Sequence, residues 1–344
     1  LFKTKFITNE GADAIEIKGE KLTADSIQND IERVRNLTYA ALDRAHRFVR
    51  VWRKTGWAIE ELDLLISQLK VSGVATDIAA VTLTTIGHIL RLQEQLKLSF
   101  KEVFSVLYGL PTISLEENEK SFLDSLFNHE DVVLAEGSYP KTSVKLIHPS
   151  LAIDQSSASA EFSSSRLIMA LNRSDDEVLA LIKHLARPLG IVALDSATES
   201  ERGFNITLVN LSLLYRHSKI AETLKLPVGD LFRIIKLIPS IANGYLENIG
   251  HVYTLLDFVD WWRGSKVTID ELNYIIESGN IEDPESFKTK EEITTAILDQ
   301  AKTSRALLFA DTLFTVVNGV TEEQSRAILR ANSSAVEPAS EAGF

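Results

Sequence analysis

The chain has 344 residues, of which 45% are hydrophobic and 24% charged, and its formal net charge is −12. This composition is typical of a globular protein with a sizeable core, and the negative charge argues against nucleic acid or an anionic membrane as the main partner. Cysteine is absent, which excludes disulfides and thiol chemistry. No apolar run reaches the length of a transmembrane helix. We expect both ends to be cut from a longer polypeptide, because the sequence opens without Met or a signal peptide and closes on a small, polar segment.

Residues 1–20 are predicted to form a β or loop lead-in. Lys3–Thr8 and Ala14–Lys18 alternate between apolar and polar residues and flank Asn9–Gly11, which predicts a short hairpin or edge strands. The apolar spacing then becomes helical and predicts a helix over 23–37.

A helical hairpin recurs along the chain, most clearly over 255–278. There a helix, a turn at Gly264–Ser265 and a second helix follow one another, and Thr268 and Glu271 form a capping box at the start of the second helix. Behind such caps, apolar residues recur at helical spacing and predict one buried face. The aligned first positions of these second helices are Ile59, Phe100, Asp175, Val228, Ile269 and Glu322.

The hairpins and their interruption predict the domain organisation. Helical hairpins occupy 21–111 and 165–332, the stretch 112–164 is an irregular connection or small insertion, and 333–344 is a polar tail. The predicted fold is mainly α: an irregular array of packed helical hairpins with a few short strands and a long insertion. The shorter predicted elements are a helix over 116–127 and two strand-like pieces within 190–210.

Two segments resemble those of a known family. Residues 211–227, LSLLYRHSKIAETLKLP, resemble a segment of the A subunits of Tc (toxin complex) insecticidal toxins, in which a Leu-Tyr-Arg-His stretch leads to a turn and a following helix. Residues 255–276, with Phe-Val-Asp-Trp-Trp and Thr-Ile-Asp-Glu-Leu, resemble the next hairpin of those proteins, in the same order and at the same separation. The likeness is best over about 165–330 and weaker over 1–110, and 112–165 matches no segment of that family.

The resemblance implies a non-catalytic structural segment of the α-helical shell of a pore-forming, translocating toxin, where the shell encloses the translocation channel. It implies a secreted or cell-surface bacterial toxin that forms a homo-oligomer, a pentamer in that family. B and C toxin subunits are its implied partners, with a host-cell receptor as a further candidate, and the segment itself is expected neither to insert into a membrane nor to bind nucleic acid. The alternative is a stand-alone helical-repeat scaffold that binds a protein or glycan receptor, with the 112–164 region as its recognition element.

The residues themselves predict no enzyme: catalytic, metal-binding and cofactor-binding residues are all expected to be absent. The seven histidines lack metal-ligand spacing, and His217 is interpreted as a packing or capping residue. Acidic pairs in first helical turns are interpreted as partners of the helix dipole rather than as catalytic acids. A basic stripe is either a face for phosphate or a partner or a solvated helix face, and a tryptophan pair is either a carbohydrate surface or hairpin packing. The acidic pairs are Glu60–Glu61, Asp175–Asp176 and Asp270–Glu271. The basic stripe consists of Arg44, Arg47, Arg50, Arg53 and Lys54, and the tryptophan pair is Trp261–Trp262.

Overall fold

The computed structural model describes the chain in segments separated by gaps. The described residues are 4–8, 14–25, 27–75, 77–115, 119–130, 133, 137–153, 158–276, 294–295, 298–304 and 323–324. Two compact units divide the chain, residues 1–269 and 270–344. Nearly all described elements belong to the first unit, and they are mainly α-helical, as predicted.

The elements are short and mostly helical. The helices are α1 (Tyr39–Thr55), α2 (Ile59–Val71), α3 (Ala80–Leu96), α4 (Phe100–Leu107), α5 (Phe122–Phe127), α6 (Ala158–Leu171), α7 (Asp175–His184), α8 (Ala186–Leu189), α9 (Leu208–Thr223), α10 (Val228–Lys236), α11 (Ile249–Ser265) and α12 (Ile269–Ile276). The strands are β1 (Glu16–Glu20), β2 (Ile31–Arg35), β3 (Lys141–Leu146) and β4 (Phe204–Ile206). They form two antiparallel pairs, β1 with β2 and β3 with β4.

One turn geometry recurs in the described helix pairs. The first helix ends at a residue with left-handed backbone, one residue follows, and the next caps the second helix, an arrangement that satisfies carbonyls and amides left open at helix ends. The left-handed residues are Gly56 (φ 71°), Lys97 (φ 56°), Asn172 (φ 51°), Lys225 (φ 52°) and Lys266 (φ 60°). The helices that follow begin at Ile59, Phe100, Asp175, Val228 and Ile269. The sequence alignment of second helices is therefore confirmed at these positions, and the sixth, Glu322, lies outside the described residues.

At three of the five turns the residue between the left-handed position and the cap lies in the core, and at the other two it is half-buried. Trp57, Leu98 and Leu226 occupy this position and are buried, and so is the fourth residue of each following helix, such as Leu62 or Leu231. A buried residue just before the cap combined with one in the first turn is the pattern of a hydrophobic staple, which fixes the angle at which the chain enters the helix. The hairpins thus carry their geometry in local sequence.

The N-terminal region is only partly as predicted. The described residues of 1–20 form a turn at 4–8 and the strand β1, in line with a β or loop lead-in. β1 pairs with β2, with Glu16 opposite Arg35, so neither the hairpin of Lys3–Thr8 with Ala14–Lys18 nor the helix over 23–37 forms. The Glu20 carboxylate lies against the guanidinium groups of Arg33 and Arg35. Cross-strand charge pairs of this kind stabilise an exposed two-stranded ribbon that has no buried face. The apolar residues whose spacing predicted a helix are therefore not part of a core here.

Two smaller predictions also changed. Of the helix predicted over 116–127, the described residues form only the shorter α5. Ser121 caps it by accepting a hydrogen bond from the Asp124 amide at 3.1 Å. Within 190–210 only β4 is a strand, and it pairs with β3. Residues 191–194 form a loop instead, held by a hydrogen bond from the Val192 amide to the Glu201 carbonyl at 3.1 Å. The strand partner of β4 therefore comes from the region predicted as irregular.

The core of the first unit is organised around α9. This helix packs against α4, α6, α7, α8, α10 and β4. Its buried residues lie on all sides, among them Leu211, Leu214, Ile220 and Ala221. A helix that is buried all round must satisfy every polar side chain it carries inside the protein.

Candidate functional site: the polar junction of the central helix

The polar residues of α9 concentrate where the helix meets its neighbours. Ser212, His217 and Ser218 are buried, and Arg216 between them is half-buried. Burying such groups without partners costs several kcal/mol, about 2–7 for a neutral group. Their contacts therefore reveal what this part of the sequence does.

Arg216 joins three segments that are far apart in sequence. Its Nη2 donates to the Leu107 carbonyl at 3.2 Å and its Nε to the Val106 carbonyl, both at the C-terminal end of α4. Its Nη1 donates to the carbonyls of Leu246 at 2.9 Å and Glu247 at 3.3 Å, just before α11. Burial lowers the pKa of Arg216, but the guanidinium stays charged at any relevant pH. A fixed cation thus sits against the negative end of the α4 dipole.

His217 completes the same junction as a neutral ring. Its Nδ1 lies 2.9 Å from the Leu213 carbonyl, and its Nε2 accepts the Leu246 amide proton at 2.9 Å. This pair of contacts requires the proton on Nδ1. The ring is stacked 5.4 Å from Phe232, which is stacked 4.5 Å from His184. Burial lowers the pKa of His217 to about 3, and both ring nitrogens form hydrogen bonds inside the protein. These contacts agree with the interpretation of His217 as a packing residue.

The residues on either side of Arg216 and His217 reach other elements. The Tyr215 ring meets Phe122 of α5 edge-on at 5.7 Å. Ser218 donates to the Leu171 carbonyl at the end of α6 at 3.0 Å. Its own carbonyl accepts from Arg173 Nη2 at 2.8 Å. Four successive side chains of α9 therefore hold four different parts of the fold.

A glycine lets the turn after α4 approach α9 closely. The Ser212 hydroxyl accepts the Leu110 amide proton at 3.0 Å. Gly109 has a φ of 112°, and a Cβ there would lie 3.1 Å from the Ser212 hydroxyl oxygen. Both the backbone angle and the space favour glycine at this position.

A groove of about 550 Å³ opens beside the junction. The exposed Val209 (74%) and Ile113 belong to its apolar wall, while Arg216, Tyr245 and Glu247 line its polar end. The Tyr245 hydroxyl, together with Asn243, holds the pKa of the Glu247 carboxyl below its usual range. The groove therefore combines an apolar wall with an ionised carboxylate. Its further lining residues include Leu64, Gln68, Phe104, Tyr108, Pro188 and Leu213.

The predicted acidic pairs lie in first helical turns, and one belongs to a cluster that sequence reasoning missed. Asp175 Oδ1 accepts hydrogen bonds from His148 Nε2 and from the Ser164 hydroxyl, both at 3.1 Å. His148 Nδ1 meanwhile accepts the Ser150 amide proton at 3.2 Å. The three residue types are those of a hydrolase triad, but the serine is bonded to the carboxylate and not to the imidazole, so no base faces its hydroxyl. Glu61 similarly caps α2 by accepting the Ala58 amide proton at 2.9 Å.

The predicted basic stripe on α1 divides into two parts. Arg44 donates to the Ile7 carbonyl at 3.0 Å, and Arg47 pairs with Asp43 at 2.7 Å and with Asp77 at 2.9 Å. These two arginines tie α1 to its own surroundings. The other cations are exposed and form no ion pair with any residue that the structure describes: Arg50, Arg53 and Lys54.

The two adjacent tryptophans face different surroundings. Trp262 donates from Nε1 to the Val267 carbonyl at 2.8 Å across the turn after α11. Trp261 is 56% exposed and lies 5.4 Å from Phe258. They form no joint platform, as expected for neighbours about 100° apart on a helix.

Within the described ranges, no three or more His, Cys, Asp or Glu side chains are grouped so that they could hold a metal ion. None of the helices described above is both long and apolar enough to cross a lipid bilayer.

Comparisons with known proteins return structural neighbours only. No family model matches the sequence, and no curated protein does either. The cryo-EM structure of Morganella morganii TcdA4 aligns with a TM-score of 0.48 and 15% identity, over 74% of this chain and 10% of that one. The cryo-EM structure of Yersinia pseudotuberculosis TcaA–TcaB aligns with a TM-score of 0.44 and 14% identity, over 85% and 16%. This chain thus spans a small part of the chains it matches, and the likeness is below the level that establishes a shared fold.

Proposed function

We propose that this chain is a non-catalytic shell segment of a Tc-type toxin A subunit, enclosing the translocation channel of an oligomer. The observation that carries the proposal is the double role of residues 215–218. The Leu-Tyr-Arg-His stretch that resembles the family ties α9 to α4, α5 and the segment before α11, and Ser218, the next residue of the same segment, ties it to α6. A motif that serves packing in this way belongs to a structural element.

The proposed mechanism is mechanical. The polar contacts of α9 end on backbone carbonyls and amides, so they hold neighbouring helices at fixed distances whatever side chains those helices carry. Each such group, once buried, costs about 1–3 kcal/mol if its partner is removed. A wall built from hairpins joined in this way resists bending, while exposed polar contacts between walls separate more easily.

The proposed setting follows from the resemblance. The segment belongs to a secreted or cell-surface bacterial toxin that assembles as a homo-oligomer, a pentamer in the family, and works with B and C toxin subunits. A host-cell receptor is a further proposed partner. The segment neither catalyses a reaction nor inserts into the membrane, and the channel and the toxic enzyme lie elsewhere.

The test is the size and assembly state of the natural, unclipped product. A denaturing gel gives the chain mass, and native mass measurement with negative-stain imaging gives the assembly. We expect a chain far larger than 38.2 kDa that assembles into a hollow oligomer. A monomer near 38.2 kDa would overturn the shell role.

The groove beside α9 favours a second candidate, a helical-repeat scaffold that binds a protein or glycan receptor. Its supporting feature is the pairing of exposed Val209 with the ionised Glu247 in a groove of about 550 Å³, a volume typical of ligand sites. Immobilised glycans and extracellular protein domains are the probes, and Val209→Glu is the control. Specific retention that the Val209→Glu chain loses would support the scaffold, and equal retention of both chains would reject it.

A further inference from the structure

Two hairpins of the chain resemble one another in sequence and in turn geometry. Residues 46–62, HRFVRVWRKTGWAIEEL, align without a gap with residues 256–272, LDFVDWWRGSKVTIDEL. Their turns match in detail as well. Trp52 Nε1 donates to the Trp57 carbonyl at 2.8 Å, as Trp262 Nε1 donates to the Val267 carbonyl at the same distance. Positions on α1 and α11 can therefore be compared one by one.

In α11 one stripe is covered by the preceding hairpin. Val252, Leu256 and Val259 are buried at helical spacing. Arg263 continues this stripe at its exposed end, where its guanidinium donates to the Leu224 carbonyl at the end of α9. This face is thus built to receive another helix pair and the negative end of its first helix.

Most of the matching stripe of α1 faces solvent. Leu42 is 47% exposed, His46 and Arg53 are exposed as well, and Val49 is half-buried. Tyr39 extends it by one turn and is 93% exposed. Apolar side chains and a cation at packing positions, without cover among the described residues, mark a surface that a partner can bury.

The charges beside the two stripes are inverted. Arg50 on α1 corresponds to Asp260 on α11, and both are exposed. The neighbouring acid Asp257 is also exposed, and Trp261 lies next to it on the same outer surface of α11. The hairpin that contains α1 thus presents a basic, apolar face, and the hairpin that contains α11 presents an acidic, aromatic face. Complementary potentials of this kind set the register of a contact and exclude other partners.

We propose that the α1 face of one molecule docks on the outer face of α11 of a second copy of this chain. With the helices antiparallel, Arg50 meets Asp260 of the second copy, Arg53 meets its Asp257, and Val49 packs against its Trp261. Two different surfaces meet in this contact, so each molecule keeps one free face of each kind, and repetition closes into a ring or extends as a filament. The inference names the contact through which the proposed shell extends from copy to copy, and in that respect it rests on the proposed function.

Reciprocal charge reversal tests the contact. One variant carries Arg50→Asp and Arg53→Asp, a second carries Asp257→Arg and Asp260→Arg, and a third carries all of these changes. Sedimentation velocity of the 344-residue chain at low salt is the measurement. We expect the wild type to associate with rising concentration and each double variant to lose at least about tenfold in affinity, because like charges then face one another.

The rescue experiments make the test specific. The variant with all the changes restores opposite charges and is expected to associate like the wild type, and an equimolar mixture of the two double variants is expected to form mixed complexes. Raising the salt to about 1 M, where charges are screened beyond about 3 Å, weakens the wild-type association. The matched control carries Lys70→Asp and Glu94→Lys, at exposed positions on α2 and α3, and keeps wild-type behaviour.

A wild type that stays monomeric at low salt, or double variants that associate unchanged, would overturn the contact. These results would not overturn the proposed shell role, because that role is tested by the size and shape of the natural product. A hollow oligomer whose assembly ignores the charge reversals would reject this contact alone, and another chain would then be the occupant of the α1 face.

Discussion

The arginines of α9 and of α1 show two different uses of the same side chain. Arg216 is half-buried and bonds to backbone carbonyls of two segments, one of which lies more than 100 residues earlier in the chain. Arg47 lies near the surface and pairs with the carboxylates of Asp43 and Asp77. The comparison teaches that charge alone does not reveal what an arginine stabilises. A contact with buried backbone fixes topology, whereas a contact with a solvated carboxylate adds little.

The largest effect is expected when a charge enters the core beside α9. Leu231 of α10 is fully buried, so Leu231→Asp places an unpaired carboxylate there and is expected to lower the free energy of unfolding by more than about 4 kcal/mol. Thermal unfolding followed by circular dichroism measures the effect. Leu42→Asp, at an exposed position of α1, is the control and changes the monomer by about 0.5 kcal/mol or less. Equal melting temperatures of the Leu231→Asp and wild-type chains would contradict the packing of α10.

Replacing the two arginines in turn tests the comparison directly. Arg216→Met removes the charged donor to four carbonyls, three of them in partly buried contacts, and is expected to cost about 3 kcal/mol. Arg47→Met is expected to cost about 0–1 kcal/mol, the range of solvated ion pairs. Urea unfolding of both variants measures the difference. Similar losses in the two variants would show that bonding to backbone carbonyls and pairing with carboxylates are equivalent here.

The neutral ring of His217 predicts a loss of stability in acid. Its folded pKa is about 3, below the value of about 6.5 expected in the unfolded chain. The stability it contributes is therefore complete above about pH 6.5 and is lost as the pH falls toward 3, by up to about 1.4 kcal/mol per pH unit. Burial also lowers the pKa values of His148 and His184, which act in the same direction. Urea midpoints between pH 7 and acid measure the slope.

His217→Gln isolates the contribution of that one ring. The variant is less stable at neutral pH, but its stability is expected to fall less steeply with acid than that of the wild type. Parallel slopes in the two proteins would assign the acid sensitivity to other groups.

The smallest effect concerns the turn after α4. Gly109→Ala strains a left-handed backbone and crowds Ser212, and it is expected to cost about 1–2 kcal/mol. Gly87→Ala, inside α3 with open space around its Cβ position, is the matched control and is expected to stabilise by about 1 kcal/mol. Opposite shifts in the melting temperature would support the close approach at Gly109, and a neutral Gly109→Ala would argue against it.

The parts of the structure that follow from local sequence were predictable. Helix starts such as Ile59 and Phe100 were found because a cap, a turn and an apolar face lie within one short window. The alternation of Ala14–Lys18 predicted part of β1, but β2 was missed, because the spacing of Ile31 and Val34 in this exposed strand also fits a helix. The junction at Arg216 was missed for another reason. Its acceptors are the backbone carbonyls of residues 106–107 and 246–247. Because every residue has a backbone carbonyl, the sequence of these segments does not indicate an arginine partner.

The turn that the helix pairs share also bears on how hairpins can be joined in series along one chain. A left-handed residue, a core residue and a cap form a self-contained joint, so a hairpin brings its own geometry wherever it is inserted. Residues 46–62 and 256–272 are alike in their turn and in the start of the second helix, and they differ in surface charge. The segments between joints can differ in length, as the long stretch between α4 and α6 shows, without disturbing the joints. Hairpins of one design can therefore be joined in series at irregular spacing, so the repeat is visible in the turns and not in a fixed period.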